Sequence, residues 1–324
     1  MTRRHSLASL LAVAPVALAA MQAHAQDAPT PPPSQVAEAG DARIAWYEAG
    51  DPDGAPVVFV HGLPFSSHIW RDVVGALAEA VPGRRLIALD LAGFGDSEAA
   101  PGAYGVDDQA GHLAAFVDAL ELSDVTLVGH DWGAGIALMY AGAHPDDVAA
   151  FAHFEGAMPP VYPRPAYDEM PERIAGMFRA MREEGAETNV LENNMWLDTI
   201  LPTMTAEPLP AAVRAEYDRP FATPVDRTPL LEMSRSLPIG GEPPEVVAAY
   251  EDGVDWWTSS DAPKLVLYAE PGRLYPETLA RWNEDNAANV TVAGVGPGLH
   301  ALQEESPEAV GAALAEWLEA IGTP

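Results

Sequence analysis

Short apolar runs alternate with amphipathic segments along most of this chain. Continuous runs of β-prone apolar residues indicate strands that are covered on both faces, as in a parallel sheet. Segments with helical periodicity lie between these runs, for example Ala110–Leu122 and Ala134–Ala143. The alternation predicts an α/β fold with a mostly parallel, doubly wound sheet. The predicted strands are Pro56–Val60, Leu86–Leu91, Val125–Val128, Val148–Phe154 and Leu265–Tyr268.

The alternation stops between residues 157 and 256. This stretch is punctuated by prolines, has helical patterns and holds a large share of the Met, Trp and Tyr residues. We therefore expect a helical cap at 157–256, inserted into a core domain formed by 41–156 and 257–324. An aromatic insertion at the carboxyl edge of a sheet commonly covers a pocket. A helical subdomain that only completes the packing is the alternative.

The N-terminal region has the pattern of a secretory signal peptide. Arg3 and Arg4 precede an apolar stretch at Leu7–Met21, and Ala23-His24-Ala25 is a small-residue cleavage site. We expect residues 1–25 to be removed, residues 26–40 to form a Pro-rich linker, and the mature protein to be periplasmic or secreted. A misassigned start codon before a cytoplasmic protein is the alternative.

Composition narrows the classes of partner and cofactor. The chain carries 48 Asp+Glu against 17 Lys+Arg, a formal charge of −31, and it has no cysteine. Such acidity disfavours nucleic acid and anionic membrane surfaces as partners, so we expect neither after signal cleavage. The lack of cysteine excludes disulfides, thiolate catalysis and iron–sulfur clusters. Without an HExxH motif, a P-loop or a strand-bound GxGxxG, we expect no metal and no cofactor.

The strongest chemical signal is Gly129-His130-Asp131-Trp132-Gly133, which follows a predicted strand and precedes a predicted helix. This is the spacing of a nucleophile elbow, in which the outer glycines permit a sharp turn. Asp131 stands where serine is usual. A carboxylate that attacks a carboxylic ester gives a reactive anhydride, whereas attack at a saturated carbon gives a stable enzyme ester. Asp131 therefore predicts halide displacement or epoxide opening, the alternative being a simple helix cap.

A base is needed to hydrolyse such an ester, and His300 fits that role. It lies in a Gly-rich loop before the C-terminal helix, consistent with the order nucleophile, acid, histidine in α/β-hydrolases. Two carboxylates could orient it. Glu155 follows the run Val148–Phe154, and Glu270 follows Lys264–Ala269, so the residue pattern leaves both open.

The segment His61-Gly62-Leu63-Pro64 follows the first predicted strand of the sheet. Its position predicts that the backbone N–H of Leu63 reaches the sheet edge. Together with the N–H of Trp132, it would form an oxyanion hole during ester hydrolysis.

These motifs resemble the haloalkane dehalogenases of the α/β-hydrolase superfamily, and the resemblance extends from about residue 42 to 321. It rests on residues 61–64, 129–133 and 296–304, and on several cap stretches. The resemblance implies that water hydrolyses a small apolar halogenated substrate to an alcohol and a halide ion. The cap stretches are Leu191–Asn194, Leu201–Pro202, Arg219–Phe221 and Leu237–Ile239.

The resemblance also implies roles for individual residues. Asp131 would be the nucleophile and His300 the base, with Glu155 rather than Glu270 as the acid that orients the histidine. The indole N–H of Trp132 would donate to the departing halide. Three cap residues would line an apolar pocket or, equally, form the cap core: Trp196, Ile200 and Met204.

One residue departs from the family pattern. The haloalkane dehalogenases usually carry Asn at the position of Leu63, and its side-chain amide is their second halide donor. The backbone N–H survives here, but half of the halide-binding pair is missing. Asn193 or Asn194 of the cap could supply the missing amide.

Leu63 keeps two other functions open. An epoxide hydrolase would use the same nucleophile with acidic phenols from the cap. A non-catalytic periplasmic binding protein would keep the pocket alone, although it would have no need of Asp131 and His300. The candidate phenols are Tyr162, Tyr167 and Tyr217.

Overall fold

A computed structural model describes residues 35–322, so the predicted signal peptide and residues 26–34 of the predicted linker lie outside the described range. Eight strands form one sheet in the order β1-β2-β4-β3-β5-β6-β7-β8. β1 and β2 pair antiparallel, β2 also pairs antiparallel with β4, and the other pairs are parallel. The α/β fold predicted from the sequence is confirmed. The strands are β1 Gln35–Ala39, β2 Ala42–Gly50, β3 Ala55–Val60, β4 Arg84–Leu89, β5 Val125–His130, β6 Val148–Phe154, β7 Lys264–Pro271 and β8 Val290–Gly298.

The predicted linker ends earlier than expected. Residues 35–39 form β1, which pairs with β2 in a hairpin whose last paired residues are Ala39 and Ala42. Gly40 between them has a φ of +68°, a conformation that glycine adopts without steric cost. The tight reversal places the end of the predicted linker at the edge of the sheet.

Helices cover the sheet in two groups. α1 packs against α10, and α2, α3 and α7 pack together. The remaining helices lie in the cap or near the last two strands. The helices are α1 Arg71–Ala80, α2 Val106–Ala119, α3 Trp132–Ala143, α4 Glu172–Arg182, α5 Ala211–Asp218, α6 Thr228–Arg235, α7 Pro244–Ser259, α8 Glu277–Asn286, α9 Leu302–Glu305 and α10 Pro307–Ile321.

The predicted end of the cap at residue 256 lies inside helix α7 and needs correction. α7 packs closely on the core helix α3: a Cβ at Gly142 would come within 2.5 Å of the backbone nitrogen of Gly253. The two backbones can approach this closely only because both residues lack side chains. By its packing α7 belongs to the core, and the inserted segment ends before Pro244.

The inserted segment contains α4–α6 and a series of short helical turns. The turns are Tyr167–Glu169, Thr188–Glu192, Trp196–Ile200, Leu201–Thr203, Arg219–Phe221 and Val225–Arg227. Across residues 35–322, no helix combines the length and apolar character that a membrane span requires.

Candidate active site

Asp131 occupies the sharp turn between β5 and α3. Its φ of 52° and ψ of −124° are unusual for a residue with a side chain, and such strain is found preferentially at functional sites. The flanking glycines make the turn possible. A Cβ at Gly129 would lie 2.4 Å from Ala134 Cα, and one at Gly133 would lie 2.1 Å from the carbonyl oxygen of Val60. The turn holds the carboxylate at the carboxyl edge of the sheet.

The Asp131 carboxylate is buried and held by backbone donors. The N–H of Leu63 donates to Oδ2 at 3.0 Å, and the N–H of Trp132 also donates to the carboxylate. A Cβ at Gly62 would lie 2.4 Å from Oδ2, so only glycine allows this approach. Burial raises the pKa of Asp131, and the positive charge of His300 and the two N–H groups oppose part of that rise.

His300 lies between two carboxylates. Its Nδ1 is 2.9 Å from Glu155 Oε2, and its Nε2 is 3.6 Å from Asp131 Oδ1. Because an ionised Glu155 can only accept, Nδ1 carries a proton, and Nε2 on the opposite side of the ring faces Asp131. Burial by itself lowers the pKa of His300, but the hydrogen bond to Glu155 and the charges of Asp131 and Glu155 raise it overall.

Glu155 is fixed almost entirely by backbone groups. It follows β6, is fully buried, and accepts the backbone N–H groups of Arg273, Leu274 and Tyr275 at 2.7 to 3.2 Å. Glu270, the other carboxylate left open by the sequence, is exposed and accepts the backbone N–H of Glu277. The structure therefore brings Glu155, and not Glu270, to His300.

Two further contacts fix the backbone around His300. The buried ring of His130 donates from Nε2 to the carbonyl oxygen of His300 at 2.9 Å. Burial, with the nearby charge of His300, keeps the pKa of His130 well below its usual value, so its ring stays neutral. The N–H groups of His300 and Ala301 both donate to the carbonyl oxygen of Met204, at 3.1 and 3.0 Å. The cap is thus hydrogen-bonded directly to the histidine loop.

Glu305 connects the same two segments and was not found from the sequence. Its Oε2 accepts the N–H of Leu299 at 2.7 Å, and its Oε1 accepts the N–H of Ala206 at 2.8 Å. One carboxylate therefore ties the residue before His300 to the cap. Its position directly after the 296–304 motif is the only sequence signal that points to it.

The predicted cap residues differ in their surroundings. Met204 contacts the histidine loop through its carbonyl, as described above. Trp196 is buried and donates its indole N–H to Ser234 Oγ at 3.0 Å, which commits that donor to the cap. Ile200 is buried within the same core. That these three side chains line the pocket stays a prediction.

The two asparagines expected as substitute halide donors have no observed contact with the site residues in the described part of the chain. Asn193 is exposed. The amide nitrogen of Asn194 donates to Asp198 Oδ2 at 3.2 Å. The structure does not support this expectation, because the first residue is exposed and the amide N–H of the second is used within the cap.

Trp132 is buried directly after the nucleophile. Its ring centroid lies 5.5 Å from that of Tyr162, at an interplanar angle of 48°. Within residues 35–322, its indole N–H has no hydrogen-bond partner, which leaves it available for a ligand beside Asp131. In the same part of the chain, no group of three or more His, Asp or Glu side chains could hold a metal ion.

Comparison with known proteins defines the family. A family model described as the alpha/beta hydrolase fold matches residues 55–307. A haloalkane dehalogenase of Agrobacterium fabrum is 35% identical over 83% of this chain and 86% of its own length. One from Mycolicibacterium smegmatis is 36% identical over 89% and 91%, respectively.

Solved structures agree with these sequence matches. The crystal structure of a haloalkane dehalogenase from Bradyrhizobium elkani has a TM-score of 0.83 and 32% identity, covering 89% of this chain and 98% of its own. Another, from Agrobacterium tumefaciens, has a TM-score of 0.80 and 34% identity, covering 90% and 97%. With its fold, its elbow aspartate and these relatives, the chain belongs to the haloalkane dehalogenase family of the α/β-hydrolases.

Proposed function

We propose that this protein hydrolyses the carbon–halogen bond of small apolar haloalkanes, giving an alcohol, a halide ion and a proton without a cofactor. One observation carries the proposal: an aspartate occupies the nucleophile elbow, with its Oδ1 3.6 Å from His300 Nε2. A carboxylate at this position forms a stable ester with a saturated carbon, and the histidine can then drive water onto that ester.

In the first half of the reaction, Asp131 Oδ1 attacks the carbon that bears the halogen. A C–O bond forms as the C–halogen bond breaks, and the halide leaves with the bonding electron pair. Oδ1 is assigned as the attacking oxygen because Oδ2 is held by the N–H of Leu63. The indole N–H of Trp132 donates to the departing halide.

In the second half, water attacks the carbonyl carbon of the Asp131 ester and gives a proton to His300 Nε2. The N–H groups of Leu63 and Trp132 stabilise the negative charge that develops on Oδ2. Collapse expels the alkoxide, which takes the proton from His300 and leaves as the alcohol, and Asp131 loses the remaining proton to solvent. Glu155 holds the imidazole in the tautomer that this step needs.

The test is bromide release by the purified protein from a panel of short bromoalkanes, with Asp131→Asn as the matched variant. We expect wild-type protein to release bromide in multiple turnovers and the isosteric variant to release none. A folded wild-type protein that releases no bromide would contradict the proposal. Mass spectrometry of the protein during turnover should detect an added alkyl group, which a non-catalytic binding protein would not acquire.

We also propose that the protein is exported to the periplasm or secreted. The basic start, the apolar stretch and the small-residue site before Gln26 support export. Expression of the full chain in a Gram-negative host, followed by fractionation and N-terminal sequencing, tests this. We expect mature protein that begins at Gln26 in the periplasm, and an uncleaved chain confined to the cytoplasm would contradict it.

A further inference from the structure

Two side-chain donors that belong to buried residues near Asp131 form no hydrogen bond with another residue in the described part of the chain. They are the indole N–H of Trp132 and the hydroxyl of Tyr162, in residues that are 3% and 4% exposed. Neither donor atom is among the fully enclosed, unpartnered polar atoms of the described residues, so each keeps access to the space beside the nucleophile. Two free donors at this place therefore point to a ligand that accepts from both.

The position of Tyr162 is fixed by the backbone of the nucleophile itself. The N–H of Ala157, at the start of the inserted segment, donates to the carbonyl oxygen of Asp131 at 2.9 Å. The chain then turns through Met158, whose carbonyl oxygen accepts the N–H of Tyr162 at 3.1 Å. This turn places the Tyr162 ring against the Trp132 ring, 5.5 Å between centroids.

The phenol of Tyr162 can act only as a neutral donor. Burial raises its pKa, the guanidinium of Arg164 lowers it in part, and the carboxylate of Asp131 raises it further. The hydroxyl therefore keeps its proton near neutral pH. By contrast, the side chain of Leu63, whose backbone N–H donates to Asp131 from the loop after β3, has no hydrogen-bond donor.

Halide departure requires such donors. In an in-line displacement, the halide moves away from Asp131 as it gains negative charge, in a site from which water is largely excluded. Donors in a site of low dielectric constant stabilise a developing charge strongly, and the loss of one typically lowers the rate by about 10²- to 10³-fold.

We propose that the hydroxyl of Tyr162 is the second halide donor and acts together with the indole N–H of Trp132. This inference rests on the proposed function. Tyr162 keeps its proton throughout: it donates a hydrogen bond to the halide, which leaves as the free anion. The missing donor at position 63 is thus replaced from the cap.

The decisive variant is Tyr162→Phe, which keeps the ring and removes only the hydroxyl. We expect the single-turnover rate of bromide release to fall about 10²-fold, and bromide to become a weaker product inhibitor. Hydrolysis of the alkyl-enzyme should be unchanged. The matched control is Tyr268→Phe, which removes a hydroxyl that donates to Glu277 Oε1 at 3.0 Å, and we expect it to behave as wild type.

A rescue experiment separates a missing donor from a general disturbance. Leu63→Asn introduces an amide next to the carboxylate, and we expect it to restore most of the bromide release lost in Tyr162→Phe. In the wild-type background, the same change should raise that rate less than tenfold. A double variant that stays as slow as Tyr162→Phe overturns the inference.

A second measurement needs no variant at position 162. In a crystal of the wild-type protein soaked with bromide, anomalous scattering should place the ion within about 3.5 Å of both Tyr162 Oη and Trp132 Nε1. A bromide bound by Trp132 alone overturns the inference.

The failure of this inference can be distinguished from the failure of the proposed function. If the wild-type protein releases no bromide, the proposed function itself fails. If the wild-type protein releases bromide and Tyr162→Phe releases it equally fast, only the role of Tyr162 fails.

Discussion

The two sides of Asp131 are built in different ways. On the side that activates water, Glu155 is fixed by three backbone N–H groups and in turn fixes His300. On the side that receives the halide, Trp132 and Tyr162 present side-chain donors with no partner among residues 35–322. The water-activating side is built from residues that follow the core strands. The halide side is built from side chains of the first turn of α3 and of the cap.

The difference teaches where the site can vary. Replacing Glu155 by a residue without a carboxylate leaves the backbone N–H groups of Arg273, Leu274 and Tyr275 without this partner, and an unpaired buried donor costs about 1–3 kcal/mol. Replacing a side chain on the halide side adds or removes a single neutral donor and leaves the backbone that holds Asp131 unchanged. Leu63 is a change of this second kind, because its backbone N–H still donates to Asp131.

The largest effect is expected for His300→Gln, which removes the base from the water-activating side. Asp131 should still be alkylated, because displacement of the halide does not need a base. We expect a burst of about one equivalent of bromide and a loss of about 10⁴-fold in turnover. Rapid quench and mass spectrometry of the trapped alkyl-enzyme measure both. Steady turnover would show that ester hydrolysis does not need His300, and the absence of a burst would show that halide displacement does need it. Either result would contradict the division of roles between the two sides of Asp131.

A smaller loss is expected for Glu155→Gln, with Glu270→Gln as the control. The amide cannot supply two carboxylate oxygens to the three backbone N–H groups, and it no longer holds the imidazole by a charged partner. We expect turnover to fall about 10²- to 10⁴-fold with the bromide burst retained. Glu270→Gln should keep wild-type turnover because that side chain is exposed. Equal losses in the two variants would show that the orienting carboxylate has been misassigned.

The charge of Asp131 predicts a change in the titration of His300. That charge raises the pKa of His300 in the free enzyme. Asp131→Asn removes it, as ester formation does, so the pKa of the imidazole should fall and its neutral, basic form should extend to lower pH. NMR titration of His300 in both proteins measures the shift. An unchanged midpoint would show that the two sides are electrostatically independent.

The sequence predicted the parts of the fold that have strong local signals. β3, β5 and β6 are continuous apolar runs, and they were found close to their observed bounds. β8 was missed because it is a partly exposed strand interrupted by glycine and proline, without a continuous apolar run. β1 was missed because its residues follow a Pro-rich stretch and are mostly exposed, so its pairing depends on the hairpin rather than on apolar burial.

The same distinction holds for the site. Asp131 and His300 lie in local motifs, so their residue types and spacing were informative. The backbone groups of residues 273–275 have no side-chain signature, and their contact with Glu155 spans about 120 residues of chain. Among the three cap tyrosines, only the packing distinguishes Tyr162, beside Trp132, from Tyr167, which lies under the guanidinium of Arg179.

The smallest effect on activity is expected for Tyr217→Phe, the third cap tyrosine. Its buried hydroxyl donates to Glu304, which also forms a buried two-point ion pair with Arg71 at 2.6 and 2.7 Å. The variant leaves that ion pair intact and removes one hydrogen bond to a charged group, which costs about 1.5–3 kcal/mol in the free energy of unfolding. Because Tyr217 joins α5 of the cap to α9 and α1 of the core, the variant should weaken the attachment of the cap and leave halide departure unchanged.

Two measurements check this prediction. Denaturant unfolding should show the lower stability. The single-turnover rate of bromide release should stay within about twofold of wild type, because the hydroxyl that is lost already has a partner in Glu304. If Tyr217→Phe slowed bromide release as much as Tyr162→Phe, the cap would act through its attachment as a whole, and the halide side could not be assigned to Trp132 and Tyr162.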